Sequence, residues 1–330
     1  VNRSINNSPP ETFEVEDLAF DGKAVAHREG KVVFLDAGLP GEQVIARVTL
    51  SKKKFDLAEV QEVVRRSSDR VPALCVHIGE CGGCSWQDLD YPRQLYYKRK
   101  QVVDCIERIG GLESVVVREA VGSPELFHYR NKMEFSFAPL TGETFAVGLH
   151  RRGHFDEIFD LAKCWIGGET TNQLVEFFRA FIRQHNISVY DVNSFSGYAR
   201  FLQIRETSHT NQVMVNFVTH LGPIPGHNEL VDGLRRDFPQ VVTLVHNQTG
   251  KKANIAAGEI EQVVFGPGYV EERLFDSTFR IRANSFFQTN TRQTETLYRT
   301  ALDMLAFQKS ERILDLYCGI GSIGILAAPH

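Results

Sequence analysis

The chain has 330 residues, with 37 Lys and Arg against 41 Asp and Glu and a formal net charge of −4. At roughly 150 residues per domain that length suggests two or three domains, and the 42% hydrophobic and 24% charged fractions are those of an ordinary globular protein. Collagen-like, coiled-coil and wholly disordered compositions are excluded, no run of about 18 apolar residues predicts a membrane span, and the polar opening VNRSINNSPP lacks a basic-then-apolar leader pattern.

Residues 1–11 read as a flexible tail. From 12 to 70, alternating segments such as Val44-Ile45-Ala46-Arg47-Val48 are broken by turns at Asp21-Gly22, Glu29-Gly30 and Leu39-Pro40-Gly41. This pattern predicts a small antiparallel OB-like barrel, an architecture often used on RNA. Residues 71–92 are loop-rich and hold three of the six cysteines. A helix is expected over about 93–109, with Leu95, Val102, Val103, Ile106 and Ile109 on one side and Gly110-Gly111 as a left-handed stop. Cys105, inside that stretch, reads as a buried packing residue. Strands dominate from about 115 to 282: MEFSFAPL, FAVGLH, RFLQIRE, QVMVNFV and VVTLVHNQ. Helices at about 169–185 and 227–237 interrupt them, which makes this an α+β middle domain. A helix of about 15 residues then opens near Asn290-Thr291 and feeds an apolar strand, Arg312 to Tyr317. A glycine turn and the start of another helix come next, as in the first βα unit of a doubly wound sheet. The fold class expected is therefore multidomain α/β plus β: an OB-like barrel, an α+β middle domain and the start of a Rossmann-like domain.

Two constellations carry chemistry. Cys75, Cys81, Gly82, Gly83 and Cys84, with Cys164 eighty residues further on, can supply a four-thiolate site. The spacing leaves zinc and an iron–sulfur cluster both open, beside redox or purely structural roles. The second is the run Ile313 to Gly324, whose Gly319-x-Gly321-x-x-Gly324 also satisfies the dinucleotide fingerprint. Asp315, four residues before the first glycine, would repel a pyrophosphate but suits the cationic sulfonium and amino groups of S-adenosylmethionine. Adenosylmethionine is the expected ligand. Lys52 and Lys53 in the barrel, the basic excess from Arg93 to Arg108, and Arg130 and Lys132 in the middle domain are candidate RNA-phosphate contacts; solvated faces and strand roles explain them equally simply.

With those residues in view, the sequence resembles the RNA 5-methyluridine (uracil-C5) methyltransferases, specifically the ribosomal-RNA type with an N-terminal TRAM barrel and a 4Fe-4S cluster. The likeness runs from FEVEDLAFDGKAVAHREGKVVFLDAGLPGEQV through CGGCSWQ, YRNKMEFSF and SFFQTN to LDLYCGIGSIGI. It implies that Cys75, Cys81, Cys84 and Cys164 hold the cluster. It implies too that Gln288 and Tyr317 contact S-adenosyl-L-methionine, with Gly319 and Gly321 lining its turn. The domains implied are a TRAM barrel at 12–70, a cluster-bearing middle domain at 71–92 and 115–282, and an incomplete methyltransferase domain at 93–114 and 283–330. In the chemistry of such enzymes a cysteine thiolate adds to uracil C6, so that C5 can attack the methyl sulfonium, and a base then removes the C5 proton. The target base leaves its stack. Phe286 and Phe287 could stack on it, although core packing explains both, and Gln288 could instead bind the uracil edge.

The family's nucleophile lies in a Ser-Cys-Asn-Pro-like motif followed by a carboxylate base, and neither is present. Cys318, in the glycine turn, reads as structural. With Val at position 1 and nine residues after Gly321, the chain reads as a truncated fragment, expected not to methylate RNA by itself. The expected partner is large-subunit (23S) ribosomal RNA, with transfer RNA the alternative, for a cytoplasmic monomer. Rival classes are an iron–sulfur dinucleotide oxidoreductase and a non-catalytic zinc RNA-binding protein.

Overall fold

The computed structural model describes residues 9–142, 144–305, 308 and 311–329. It forms two compact units, Val1–Gly122 and Ser123–His330, and most of the expected tail lies outside the described residues.

In the first unit, six strands form one sheet: β1 (Glu11–Glu14), β2 (Asp17–Leu18), β3 (Ala24–Arg28), β4 (Lys31–Leu35), β5 (Gln43–Ser51) and β6 (Phe55–Arg65). Their order is β1-β5-β6-β4-β3-β2. The period of two set by Val44, Ala46 and Val48 puts those side chains inside and their neighbours outside. Only Val15 and Glu16 separate β1 from β2. Val15 N–H donates to Glu42 O and Glu16 N–H to Val25 O, both at 2.8 Å, so one bent segment borders both β5 and β3 and closes the sheet. The antiparallel expectation needs one correction. β5 pairs with β6 rather than β4, so β6 returns beside β4 in parallel.

Helix α1 (Tyr91–Asp104) opens with Pro92 in its first turn and runs into a π turn, Cys105–Ile109. Gly111, at φ +64°, stops it, with Leu112 N–H returning to Ile106 O at 3.2 Å. Its packing differs from the expected apolar row. Tyr97 joins the barrel core with Leu89, Lys100 pairs with Asp17, and Gln101 Nε2 donates to Ala19 O at 2.9 Å. Val102 and Ile109 are exposed, and so is Cys105, read above as buried. The π turn adds a residue per turn and rotates Ile109, at its far end, off the 3.6-residue face.

The second unit is built on a seven-stranded sheet. Its strands are β7 (Lys132–Pro139), β8 (Phe145–His150), β9 (Ile158–Asp160), β10 (Ala199–Glu206), β11 (Val213–Thr219), β12 (Val241–Gln248) and β13 (Ile260–Phe265), in the order β13-β12-β11-β10-β7-β8-β9. Helix α2 (Glu169–Gln184) precedes β10, and α3 (His227–Asp237) is the crossover between the parallel pair β11 and β12. One sheet face is apolar: Phe135, Leu202 and Phe217 lie side by side in register, and α2 covers them through Phe178, 5.3 Å from the Phe217 ring. The opposite face is polar. There Lys132 pairs with Arg205 and Glu134 with Gln203, while Asn216 Nδ2 donates to Gln203 Oε1 at 2.6 Å.

A separate hairpin, β14 (Tyr269–Leu274) and β15 (Ser277–Arg282), packs with α4 (Thr291–Leu305) and α5 (Ser322–Ala327) through Val270, Phe279, Ile281, Phe287, Tyr298 and Leu326. The expected strand at Arg312–Tyr317 is not formed. Residues 311–315 take no regular structure, and Leu314, Leu316 and Tyr317 are exposed. A strand apolar on both faces needs neighbours to pair with, and among the described residues none lies beside it.

Candidate cofactor turn and RNA interface

The segment from Ser285 to Thr291 is held at both ends by the polar face of the sheet. Arg205 Nη2 donates to Ser285 O at 2.9 Å. Asn131, just before β7, donates from Nδ2 to Gln288 O at 2.8 Å and to Thr291 Oγ1 at 2.9 Å, and from its backbone to Thr289 O at 2.8 Å. Thr291 Oγ1 then donates to the buried Glu272 carboxylate, which also accepts from Ser208 N and His209 N. Asn290 caps α4, its Oδ1 accepting from Gln293 N at 2.9 Å.

This clamp separates the two phenylalanines. Phe287 is 4% exposed and packs on Phe279, whereas Phe286 is 70% exposed. Core packing therefore describes Phe287 alone, and Phe286 offers an aromatic face to solvent. The Gln288 side chain is half-buried and makes no hydrogen bond among the described residues, so its amide is available to a ligand.

Tyr317, Gly319 and Gly321 adopt φ of +59°, +58° and +75°. Tyr317 is fully exposed, and a Cβ added at Gly319 would meet nothing within 4 Å. Left-handed backbone at a non-glycine residue is strained, a feature that gathers at binding turns. Asp315 is half-buried and Oδ2 accepts from Gly324 N at 3.2 Å. Its first role here is therefore to cap the turn into α5, with Oδ1 left open. Sequence reasoning missed that capping role, although a carboxylate near a helix N-terminus is its usual signal. Tyr298 Oη lies 3.1 Å from Ser322 Oγ, tying α4, and with it the Gln288 segment, to the glycine turn. A shallow cleft of about 480 Å³ beside the turn is lined by Ile320, Ile325, Phe279 and Arg280. An open face over Gly319 and a free carboxylate oxygen on Asp315 fit a cationic methionine-type cofactor.

Cys75, Cys81 and Cys84 lie in the first unit and Cys164 in the second, and none is in a disulfide among the described residues. Cys81 is buried and its Sγ accepts from Gly83 N at 3.3 Å. Gln87, the last residue of CGGCSWQ, accepts from Cys75 N at 2.7 Å, a role the sequence reading did not assign. Cys164 N donates to Asn172 Oδ1 at 2.7 Å. Among the described residues, no three or more His, Cys, Asp or Glu side chains form a group that could hold a metal ion.

Of the basic candidates, Lys52 and Lys53 sit exposed in the β5–β6 turn, Lys52 Nζ 5.4 Å from the Phe55 ring. Arg130 is exposed, its Nε donating to Lys132 O at 3.0 Å. Lys132 is half-buried. Burial first, and then the Arg205 charge, hold its ammonium below the usual lysine range against an opposing pull from Glu134, with a still smaller push from Arg130.

No family model matches the chain. An RNA methyltransferase of Chlorobaculum tepidum, itself uncharacterized, is 39% identical over 318 residues, covering 92% of this chain and 66% of that protein. Another, from Nitratidesulfovibrio vulgaris, is 36% identical over 318 residues, covering 96% of this chain and 68% of that protein. The chain belongs to the RNA methyltransferase family. Among solved structures, this family member is similar to the tRNA (uracil-54, C5)-methyltransferase of Pyrococcus abyssi, determined in complex with S-adenosyl-L-homocysteine. The TM-score is 0.73 at 30% identity, over 95% of this chain and 69% of that one. The chain spans about two thirds of the length of these relatives. Among the described residues, no helix is long and apolar enough to cross a membrane.

Proposed function

We propose that the chain serves uracil-C5 methylation of RNA, taking S-adenosylmethionine at the glycine turn and an unstacked uridine beside Phe286. The observation that carries this reading is the clamped segment Ser285–Thr291, which leaves Phe286 and the Gln288 amide free and is tied through α4 to the turn. The likeness to the P. abyssi enzyme supports it. In this reading Tyr317, Gly319 and Gly321 line the cofactor, Asp315 Oδ1 faces its cationic end, and Gln288 contacts it. The closed barrel is read as a TRAM barrel that presents Lys52 and Lys53 to RNA. No residue of this chain is assigned as nucleophile or base, and Cys318 stays a turn residue.

Large-subunit ribosomal RNA is the substrate we propose, for a cytoplasmic monomer. Transfer RNA is the second reading, favoured by the substrate in the P. abyssi enzyme's name. The relatives align along nearly the whole chain, which gives no ground for calling it inactive. Competition binding decides between the two: a 23S transcript displacing a labelled RNA from the chain at lower concentration than tRNA supports the first reading, and the reverse order supports the second.

Cofactor binding gives a more direct check. Gly319→Val places a side chain in the open space over the turn, at a φ that β-branched residues avoid. It is expected to weaken S-adenosylhomocysteine at least about tenfold by calorimetry, about 1.4 kcal/mol, with far-UV circular dichroism unchanged. Saturable binding of NAD in place of adenosylhomocysteine would point to the oxidoreductase class. A 4Fe-4S cluster on Cys75, Cys81, Cys84 and Cys164 belongs to this reading by resemblance alone, and no step is drawn through it. Anaerobically purified protein is expected to carry iron and sulfide; a colourless protein with stoichiometric zinc would replace the cluster by a zinc site.

A further inference from the structure

Lys132 and Arg205 are direct cross-strand partners on β7 and β10. Like charges placed opposite one another in a sheet are destabilising, so such a pair calls for a compensating anion. None is in contact. Neither residue, nor Arg130, forms an ion pair among the described residues. Arg205 is 3% exposed, with Nε and Nη1 buried and without an acceptor among the described residues. Burial lowers its pKa to about 10, with Glu272 pulling the other way. Glu134, the carboxylate nearest Lys132 along β7, is engaged by Gln203 Nε2 at 2.9 Å. Arg130 is exposed, with its Nε anchored on Lys132 O at 3.0 Å. The three cations thus converge where Arg205 also holds Ser285, the first residue of the segment bearing Phe286.

We propose that Arg130, Lys132 and Arg205 form a pocket for one RNA backbone phosphate beside the exposed Phe286 ring. Arg130 and Lys132 contact the phosphate oxygens. Arg205 stands behind them as a positioning residue, adding positive potential and fixing the Ser285 carbonyl. A phosphodiester fits because it brings negative charge into direct contact with Lys132 and Arg130, and because it is followed along the strand by a base that an aromatic ring can stack. The proposal rests on the RNA-methyltransferase reading and gives it a specific grip.

The test is fluorescence anisotropy of a labelled uridine-loop RNA hairpin with the whole chain, titrated from roughly 50 to 200 mM salt. Lys132→Gln is expected to weaken binding about fivefold to tenfold near 0.1 M salt and to lower the log–log salt slope by about 0.7–0.9. Arg130→Gln should do the same. Arg205→Lys should keep most of the affinity and Arg205→Met should lose it, a split that loss of packing alone would not produce. Arg236→Gln, at an exposed arginine paired with Asp237 on α3, is the control and should change nothing. An unchanged slope in both Lys132→Gln and Arg130→Gln, with wild-type binding intact, overturns the pocket. Failure of the wild-type chain to bind any RNA overturns the RNA reading and the pocket together. Should a variant not fold, acylation footprinting of the wild type gives the same decision. RNA is expected to protect Lys132 at least about fivefold, the counterpart of losing one phosphate contact, and no protection rejects the proposal.

Discussion

Asn131→Leu is expected to destabilise the second unit by about 3–4 kcal/mol, well above the usual cost of a single substitution. Asn131 is buried and its Nδ2 serves two acceptors, Gln288 O and Thr291 Oγ1. Leucine removes both bonds and leaves the Gln288 carbonyl and the buried Thr291 hydroxyl without that donor. Each such loss costs about 1–3 kcal/mol. Thr291 also relays to Glu272, a buried carboxylate that takes further hydrogen bonds from the backbone N–H groups of Ser208, His209 and Arg273. Urea unfolding followed by tryptophan fluorescence should show the midpoint falling by at least about 1 M at typical slopes. Adenosylhomocysteine affinity should fall with it, since Gln288 is no longer held. Thr291→Val, which breaks only the last link, should cost about 1 kcal/mol. Equal effects from the two variants would mean that Asn131 does not organise the segment.

The clamp also shows where sequence reading stops. Helices α2, α3 and α4 were legible to within two residues because their apolar spacing is strong and their ends are marked: Asn290 before α4, Phe238-Pro239 after α3. Strands β8 and β12 were legible for the same reason, as bounded apolar runs. β13 was not, because it is an edge strand whose residues are mostly exposed and carry no alternation. The pairing of Asn131 with residues more than 150 positions away has no local signature at all. The same holds for Lys132 opposite Arg205, where only register brings two cations together. The glycine turn was recognised by its spacing, yet the strand before it was overread: apolar residues predict a strand, but pairing partners make one.

Acid should unfold the two units in different pH windows, through two buried groups. In the second unit His246 is buried, its Nε2 2.8 Å from Thr219 Oγ1. Burial, with a smaller push from His227, lowers its pKa from 6.5 to about 4. The unfolded chain therefore binds a proton that the folded chain refuses. The stabilisation is complete above pH 6.5 and is lost as pH falls through about 4, up to about 3 kcal/mol. In the first unit Glu42 is fully buried. Burial alone would raise its pKa, but Arg70, donating from Nε at 2.7 Å and Nη2 at 2.8 Å, together with Leu39 N at 2.9 Å, carries it below its ordinary 4.5. Its contribution is intact above pH 4.5 and disappears as pH drops through the lowered value, so this unit weakens later. The chain has two tryptophans, Trp86 in the first unit and Trp165 in the second, and Trp→Phe at either isolates the other as a probe. Trp165 fluorescence should report loss of stability beginning below pH 6.5, and Trp86 only below about 4.5. Arg70→Leu tests the second window directly. It strands a buried carboxylate, should cost about 3–5 kcal/mol at neutral pH, and should reverse the pH dependence of Trp86, because protonating Glu42 then relieves an unpaired charge. A Trp86 transition in Arg70→Leu that still weakens toward acid would show that the Glu42–Arg70 pair does not set the acid limit of the barrel.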